Sequence, residues 1–253
     1  MTIQQKNTYD IMEVCVLAGK IMLQSGAETY RVEDTMMRIA SAYGAKESHS
    51  YVTPTGIIFS IESDQPTKTK LFRITERTTD LQKVTYVNSI SRRISKGELT
   101  LDDAYYALKE IEESKAGYPT VIQVLAAAAA SGCFLIMFKG TWFDFPAALV
   151  AGGIGLLGFI YAQRLVPIKF FSEFVASLII AMIAVLAVEF GWGVQVDKII
   201  IGSVMPLVPG LVLTNAIRDL MAGHLVSGLS KGAEALLTAF AIGSGVAVVL
   251  TFL

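Results

Sequence analysis

Residues 145–163 read FPAALVAGGIGLLGFIYAQ and carry no charged side chain. One charged residue near the middle of a membrane helix costs at least about 2.5 kcal/mol, so long charge-free runs mark candidate spans. Three further runs of this kind occupy residues 116–138, 199–217 and 235–253, and each of the four holds at least 19 residues. Such a run forms a helix of roughly 28 Å, which matches the hydrocarbon core of a bilayer.

A fifth candidate span begins near Phe170, has Glu173 in its first turn and is followed by Glu189. We therefore predict an α-helical multi-pass membrane protein with five transmembrane helices. The predicted spans are approximately 118–138, 145–163, 170–190, 197–217 and 234–253.

The composition separates two unlike halves. The chain has 253 residues, 53% hydrophobic and 17% charged, with a mean hydropathy of +0.54, against roughly 45–50% and about 25% for soluble domains. Residues 1–117 hold 15 of the 21 Lys and Arg and 16 of the 22 Asp and Glu. We expect a polar domain at 1–117 and a transmembrane domain at 118–253. The net charge of −1 argues against nucleic-acid binding, and the residue pattern predicts neither a metal nor a cofactor.

Lysine and arginine in short connections stay on the cytoplasmic side of a membrane. Six such residues lie on one face of the predicted topology and two, Lys139 and Lys198, on the other. The six are Lys109, Lys115, Arg164, Lys169, Arg218 and Lys231. This bias predicts a cytosolic N-terminal domain and an external C-terminus at Leu253.

The fourth span contains Pro206-Leu207-Val208-Pro209-Gly210 near its middle. Two prolines and a glycine within five residues should break the helix. In transporters, broken backbone at membrane depth often forms the substrate site, although a kinked segment without a ligand is an open alternative.

Three polar residues after the break, Asn215, Arg218 and Asp219, are spaced to share one helix face. Arg218 is suited to a substrate carboxylate and Asn215 to a further hydrogen bond, while Asp219 would hold Arg218, meet a substrate amine or carry a proton. The alternative is that Arg218 and Asp219 only end the span at the interface. Glu189 and Asp197 are weaker candidates for a proton relay.

Residues 152–158 formally match the dinucleotide motif G-x-G-x-x-G. The motif requires a strand before it and a soluble βαβ unit around it, whereas this run lies inside an apolar span. We interpret these glycines as a surface for close helix packing.

The polar half predicts a small α+β domain. Apolar residues recur at helical spacing after Asp10, Gly26 and Gly44 are suited to helix ends, and Thr100 is a helix N-cap. Helices are predicted at 10–23, 27–43, 81–94 and 101–111, and strands at 48–52, 56–61 and 69–74, separated by Pro54, Asp64 and Pro66.

The same half has its own candidate chemistry near the junction of the first two helices and the first strands. Its residues are Ser25, Glu28, Arg31, Glu33, Asp34 and His49. A hydroxyl, an imidazole and a carboxylate could act as a nucleophilic group. The alternative is a solvated helix surface and a structural histidine.

Four segments together resemble the threonine/serine exporter family. They are SGAETYRVED at 25–34, His49 followed by Pro54-Thr55-Gly56, PLVPG at 206–210 and NAIRDL at 215–220. Within that family the chain looks like the larger, YjjP-like subunit of the split form.

The resemblance implies a bacterial inner-membrane exporter driven by the proton motive force. The implied substrates are small metabolites, threonine and serine in some cases and succinate in the split type. It also implies a smaller YjjB-like membrane subunit as partner. The competing hypothesis is a membrane-anchored cytosolic hydrolase. We favour a transporter over an enzyme because an anchor requires only one unbroken helix.

Overall fold

The structure is a computed structural model that describes residues 8–62, 67–114 and 117–252. Asp64 and Pro66 in the predicted turn, the predicted topology charge Lys115 and the predicted external end Leu253 lie outside these residues. The chain forms two compact units: unit 1 comprises residues 1–116 and 211–232, and unit 2 comprises residues 117–210 and 233–253. Residues 211–232 therefore group with the polar half, while the predicted domain boundary at 117/118 stays a prediction.

Unit 1 has the predicted order of helices and strands. Its helices are α1 (Thr8–Gln24), α2 (Thr29–Ala42), α3 (Leu81–Ser95) and α4 (Leu101–Glu113). Its strands β1 (Glu47–Thr53), β2 (Gly56–Glu62) and β3 (Lys68–Arg73) form an antiparallel sheet in that order. Gly26 and Gly44 have φ of +88° and +89°, which favours glycine at these helix ends. Thr100 and Asp103 form a capping box at the start of α4.

The core of unit 1 lies between its helices and one face of the sheet. On that face Val52, Ile57, Phe59 and Ile61 are buried with α1, which contributes eleven buried residues. The alternating burial along β2 is the pattern of a sheet with one covered face.

Unit 2 contains α5 (Thr120–Met137), α6 (Phe145–Leu165), α7 (Phe171–Glu189) and α8 (Val196–Val204). A 3-10 turn (Met205–Leu207) follows α8, and the chain bends by 60° before α9 (Gly210–Met221). The predicted break is therefore present. The last helix, α10 (Leu225–Phe252), begins well before the predicted residue 234.

Among the described residues, four helices are long and apolar enough to cross a membrane, and a fifth span is counted if the bent pair is one span. The four are α5, α6, α7 and α10. Large apolar side chains on these helices are exposed, as in Val121, Val150, Ile154 and Phe240. This distribution fits helices surrounded by lipid rather than water.

Small residues bring the helices of unit 2 close together, as predicted for the glycine-rich run. A Cβ at Gly152 would overlap the side chain of Ser131, and one at Gly155 would overlap Ile180. On α10, a Cβ at Gly245 would overlap the carbonyl oxygen of Phe174. These glycines therefore permit contacts that an alanine would obstruct.

Two loops meet at one end of unit 2. The buried carboxylate of Asp144, before α6, accepts hydrogen bonds from the Thr141 hydroxyl at 2.7 Å and the Val194 N–H at 2.6 Å. The same loops carry Trp142 and Trp192, which are 74% and 75% exposed. Exposed tryptophans beside apolar helix ends are typical of a membrane–water interface.

Candidate functional site

The largest concentration of buried charge in the described part of unit 1 lies where α2 begins. The positive φ of Gly26 turns the chain after α1, and extended backbone at Glu28 starts α2. This places the first residues of α2 against α9 and the first turns of α10. The Asn215 side-chain amide donates to the Gly26 carbonyl at 2.9 Å.

Asp219 is at the centre of this cluster and is fully buried. Its Oδ1 accepts the Thr29 backbone N–H at 2.9 Å, and its Oδ2 accepts the Thr29 hydroxyl at 2.9 Å and the Lys231 Nζ at 2.8 Å. Lys231 also donates to the Thr29 hydroxyl oxygen and the Ala27 carbonyl. A buried carboxylate requires such donors, since desolvation without them is costly.

A second carboxylate, Glu28, lies between two arginines. Glu28 Oε1 is 2.6 Å from an Arg218 guanidinium nitrogen, and Oε2 is 3.2 Å from one of Arg31. Burial raises the pKa of Glu28, but its own backbone N–H and the two arginines outweigh burial and hold the pKa below its usual value. The carboxylate is buried while the side chains of Arg218 and Arg31 are 56% and 39% exposed. The guanidinium groups are therefore accessible on the side away from Glu28.

A third carboxylate, Glu33, faces a histidine. Its Oε1 accepts the Val52 N–H at 2.8 Å and lies 3.7 Å from His224 Nδ1. Burial raises the pKa of Glu33, and the nearby charge of Asp219 adds to this increase, although Val52 and His224 oppose it. The Val52 carbonyl accepts the Ser227 hydroxyl at 3.1 Å.

The structure joins two groups of residues that the sequence suggested separately. Glu28, Arg31 and Glu33 from the polar half lie in one cluster with residues that were predicted for the fourth span. The latter are Asn215, Arg218 and Asp219. One detail of the prediction was wrong, because Asp219 pairs with Lys231 rather than with Arg218.

Other predicted residues lie elsewhere. Asp34 forms an exposed ion pair with Arg38 on α2. Ser25 is buried in the turn after α1, whereas His49 is exposed on β1 with Nε2 3.4 Å from Glu47. Within residues 8–62, 67–114 and 117–252 no hydrogen bond joins Ser25 to His49.

Five further predicted residues belong to unit 2, and their role in a site stays a prediction. Pro206, Pro209 and Gly210 form the helix break. Glu189 ends α7, and Asp197 is exposed with its carboxylate 3.8 Å from Lys198.

Sequence reasoning missed four members of the cluster: Thr29, His224, Ser227 and Lys231. Lys231 had been counted as a topology charge, yet its side chain is only 6% exposed. The available signal was a lysine among small and apolar residues in LVSGLSKGAEALL, residues 225–237. Nothing in that stretch identified Asp219 or Thr29 as its partners.

One group of described residues has metal-ligand chemistry. Ligand atoms of Glu47, His49 and Glu62 on the open face of the sheet lie within 4.8 Å of one another. All three side chains are exposed, so this arrangement alone does not define a metal site.

Several apolar helices of membrane-spanning length are typical of multi-pass membrane proteins. A family model described as "Putative threonine/serine exporter" matches residues 13–253. The chain belongs to the threonine/serine exporter family and is a multi-pass membrane protein.

Three relatives illustrate the range of the family. The "Probable threonine/serine exporter" of Mycobacterium tuberculosis is 25% identical, with 98% of this chain and 47% of the relative aligned. The "Threonine/serine exporter" of Corynebacterium glutamicum is 24% identical, with 93% of this chain and 50% of the relative aligned. The "Probable succinate transporter subunit YjjP" of Escherichia coli K12 is 27% identical, with 95% of this chain and 94% of the relative aligned.

The chain spans about half the length of the first two relatives and nearly the full length of the third. No solved structure matches the chain.

Proposed function

We propose that this chain is a subunit of a bacterial inner-membrane secondary exporter for small metabolites that carry a carboxylate. The substrates would be threonine- or serine-type amino acids, or dicarboxylates such as succinate. The observation that carries the proposal is the Glu28 carboxylate seated between Arg218 and Arg31. The two arginines already bind a carboxylate here, and their guanidinium groups remain partly exposed to solvent.

In this proposal the substrate carboxylate replaces Glu28 on Arg218. The planar guanidinium can bind a carboxylate through two parallel hydrogen bonds, which a lysine cannot do. The displaced Glu28 would then be available for the ammonium group of an amino acid. A dicarboxylate has no ammonium and would place its second carboxylate on Arg31. Lys231 and Thr29 keep Asp219 paired throughout.

The wider architecture is also a proposal. Residues 1–117 would be a cytosolic domain, and the C-terminus would be external, as the Lys and Arg distribution suggests. The helix break at Pro206–Gly210 would form a further part of the substrate route, since irregular backbone in transporters lines cavities.

A smaller YjjB-like membrane subunit would complete the exporter. The word "subunit" in the name of the Escherichia coli relative supports this, as does the double length of the Mycobacterium tuberculosis relative.

The test is efflux of labelled threonine, serine and succinate from cells that express this chain with and without the smaller subunit. Arg218→Lys keeps the positive charge but removes the planar guanidinium that can form two parallel hydrogen bonds. We therefore expect efflux to fall about tenfold or more while membrane insertion persists. Arg38→Lys is the matched control, because Arg38 forms an exposed ion pair on α2. Wild-type efflux by both Arg218→Lys and Asn215→Ala would contradict this site.

A further inference from the structure

The three carboxylates of the cluster have different kinds of partner. Asp219 pairs with a lysine and Glu28 with two arginines. Glu33 instead faces an imidazole at 3.7 Å. Its side chain is 13% exposed and that of His224 is 24% exposed, so both are largely removed from water without being sealed.

We propose that Glu33, which faces His224, is the proton-binding group that couples substrate movement at Arg218 to a proton gradient. This inference rests on the proposed function. In the step itself, one proton from water binds a carboxylate oxygen of Glu33 to give the neutral acid. The same proton later returns to water, and no other covalent bond changes.

The groups around Glu33 favour proton uptake. From α9 the negative charge of Asp219 disfavours a second anion nearby, and burial acts in the same direction, so the pKa of Glu33 is raised. From β1 the Val52 N–H, and from the turn after α9 the His224 ring, oppose this effect in part. Lys231 from α10 is directed to Asp219. Glu33 therefore binds a proton closer to neutral pH than an exposed glutamate, whose pKa is about 4.3.

In the structure, few residues separate Glu33 from Arg218, the arginine proposed to bind the substrate. The His224 backbone N–H donates to the Asp219 carbonyl at 2.9 Å, and Asp219 follows Arg218 in α9. A neutral Glu33 no longer offers a negative charge to the His224 ring. It also no longer repels Asp219. The proton thus changes the forces on the end of α9 that carries Arg218, which is the differential interaction that coupling requires.

The test uses the purified chain, with any membrane subunit that co-purifies, in proteoliposomes. Labelled L-threonine and labelled succinate are the probes, and each is followed in two assays: accumulation driven by an imposed pH gradient, and exchange at equal pH. One pH unit supports up to about tenfold accumulation for each coupled proton. We expect this value for the wild type with one proton. For Glu33→Gln we expect about onefold accumulation with exchange preserved, because Gln cannot bind and release the proton.

Glu110→Gln is the matched control, since Glu110 is an exposed glutamate of the same unit. It should accumulate substrate as the wild type does. Accumulation by Glu33→Gln equal to wild type would overturn the coupling role while leaving the proposed function intact.

Infrared titration makes the inference testable without transport. The protonated-carboxyl band should include a component that persists to higher pH than that of an exposed glutamate, is absent in Glu33→Gln and remains in Glu110→Gln. Glu33→Asp keeps a carboxyl and should retain a band, which guards against a folding defect in the glutamine variant. If the wild type transports neither probe, the proposed function fails. A spectrum without any Glu33-dependent band would overturn the proton-binding role of Glu33 by itself.

Discussion

Replacement of Lys231 by methionine should destabilise unit 1 strongly. The Lys231 side chain is 6% exposed and that of Asp219 is fully buried, so Lys231→Met leaves a buried carboxylate with only the Thr29 donors. Loss of one partner of a buried ion pair costs about 3–5 kcal/mol. At roughly 2–4 °C for each kcal/mol, the unfolding midpoint should fall by about 6–20 °C.

The assay is thermal unfolding in a mild detergent at neutral pH, followed by circular dichroism and by the fraction of protein that stays monodisperse. The double variant Asp219→Asn with Lys231→Met removes both charges and keeps an acceptor for the Thr29 N–H. It should therefore be more stable than Lys231→Met alone. Lys96→Met is the control, since the exposed Lys96–Glu98 pair should contribute no more than about 1 kcal/mol.

Two results would refute this reasoning. The first is a loss for Lys231→Met no larger than that for Lys96→Met, which would mean that Lys231 is solvated. The second is a double variant whose loss of stability equals the sum of the losses for Lys231→Met and for Asp219→Asn, each measured alone. Such additivity would mean that Asp219 and Lys231 do not interact.

Three further predictions concern other parts of the chain. Glu28→Gln should weaken the loss of stability that occurs as the pH becomes acidic. Because the folded-state pKa of Glu28 is lowered, its stabilisation is present above about pH 4.3 and is lost as pH falls through the folded-state pKa. If the unfolding curves of this variant depend on acidic pH as those of the wild type do, the result would argue against the ion pair. Gly245→Ala should lower stability by about 1–3 kcal/mol, because the added Cβ would overlap the Phe174 carbonyl oxygen. Gly243→Ala is the control, since its Cβ would meet open space and the change should be neutral or stabilising by up to about 1 kcal/mol. Equal melting curves for the two variants would contradict the packing on α10. The fluorescence of Trp142 and Trp192, the two tryptophans of the chain, should be quenched by lipids brominated near the glycerol backbone, and quenching by aqueous acrylamide alone would contradict an interfacial position.

Much of the local structure follows from the sequence because its signals are local. Apolar spacing predicted α1, glycines predicted the ends of α1 and α2, and the Pro and Gly residues at 206–210 predicted the helix break. Each of these features depends on residues within a few positions of one another. The number of spans that cross the membrane and the side on which each end lies remain predictions.

The site could be predicted only in part because its contacts are distant in sequence. Thr29 and Asp219 are 190 positions apart, and no pattern along the chain connects them. The adjacency of Arg218 and Asp219 suggested a pair, but consecutive side chains on a helix do not face each other. Arg218 therefore meets Glu28, and Asp219 meets Lys231. In addition, the sequence pattern of a charged residue near an apolar run is the same whether that residue lies at the membrane–water interface or is buried in the protein.

The pairing of Thr29 with Lys231 has a consequence for biosynthesis. The two residues are 202 positions apart in the chain. At about 5–20 residues per second of ribosomal elongation, α2 would wait roughly 10–40 s before its partners on α9 and α10 are made. During that interval the donors at the start of α2 and the apolar residues around them are without their final neighbours. A nascent chain stalled before Lys231 would thus expose polar groups that lack their final partners to chaperones and proteases.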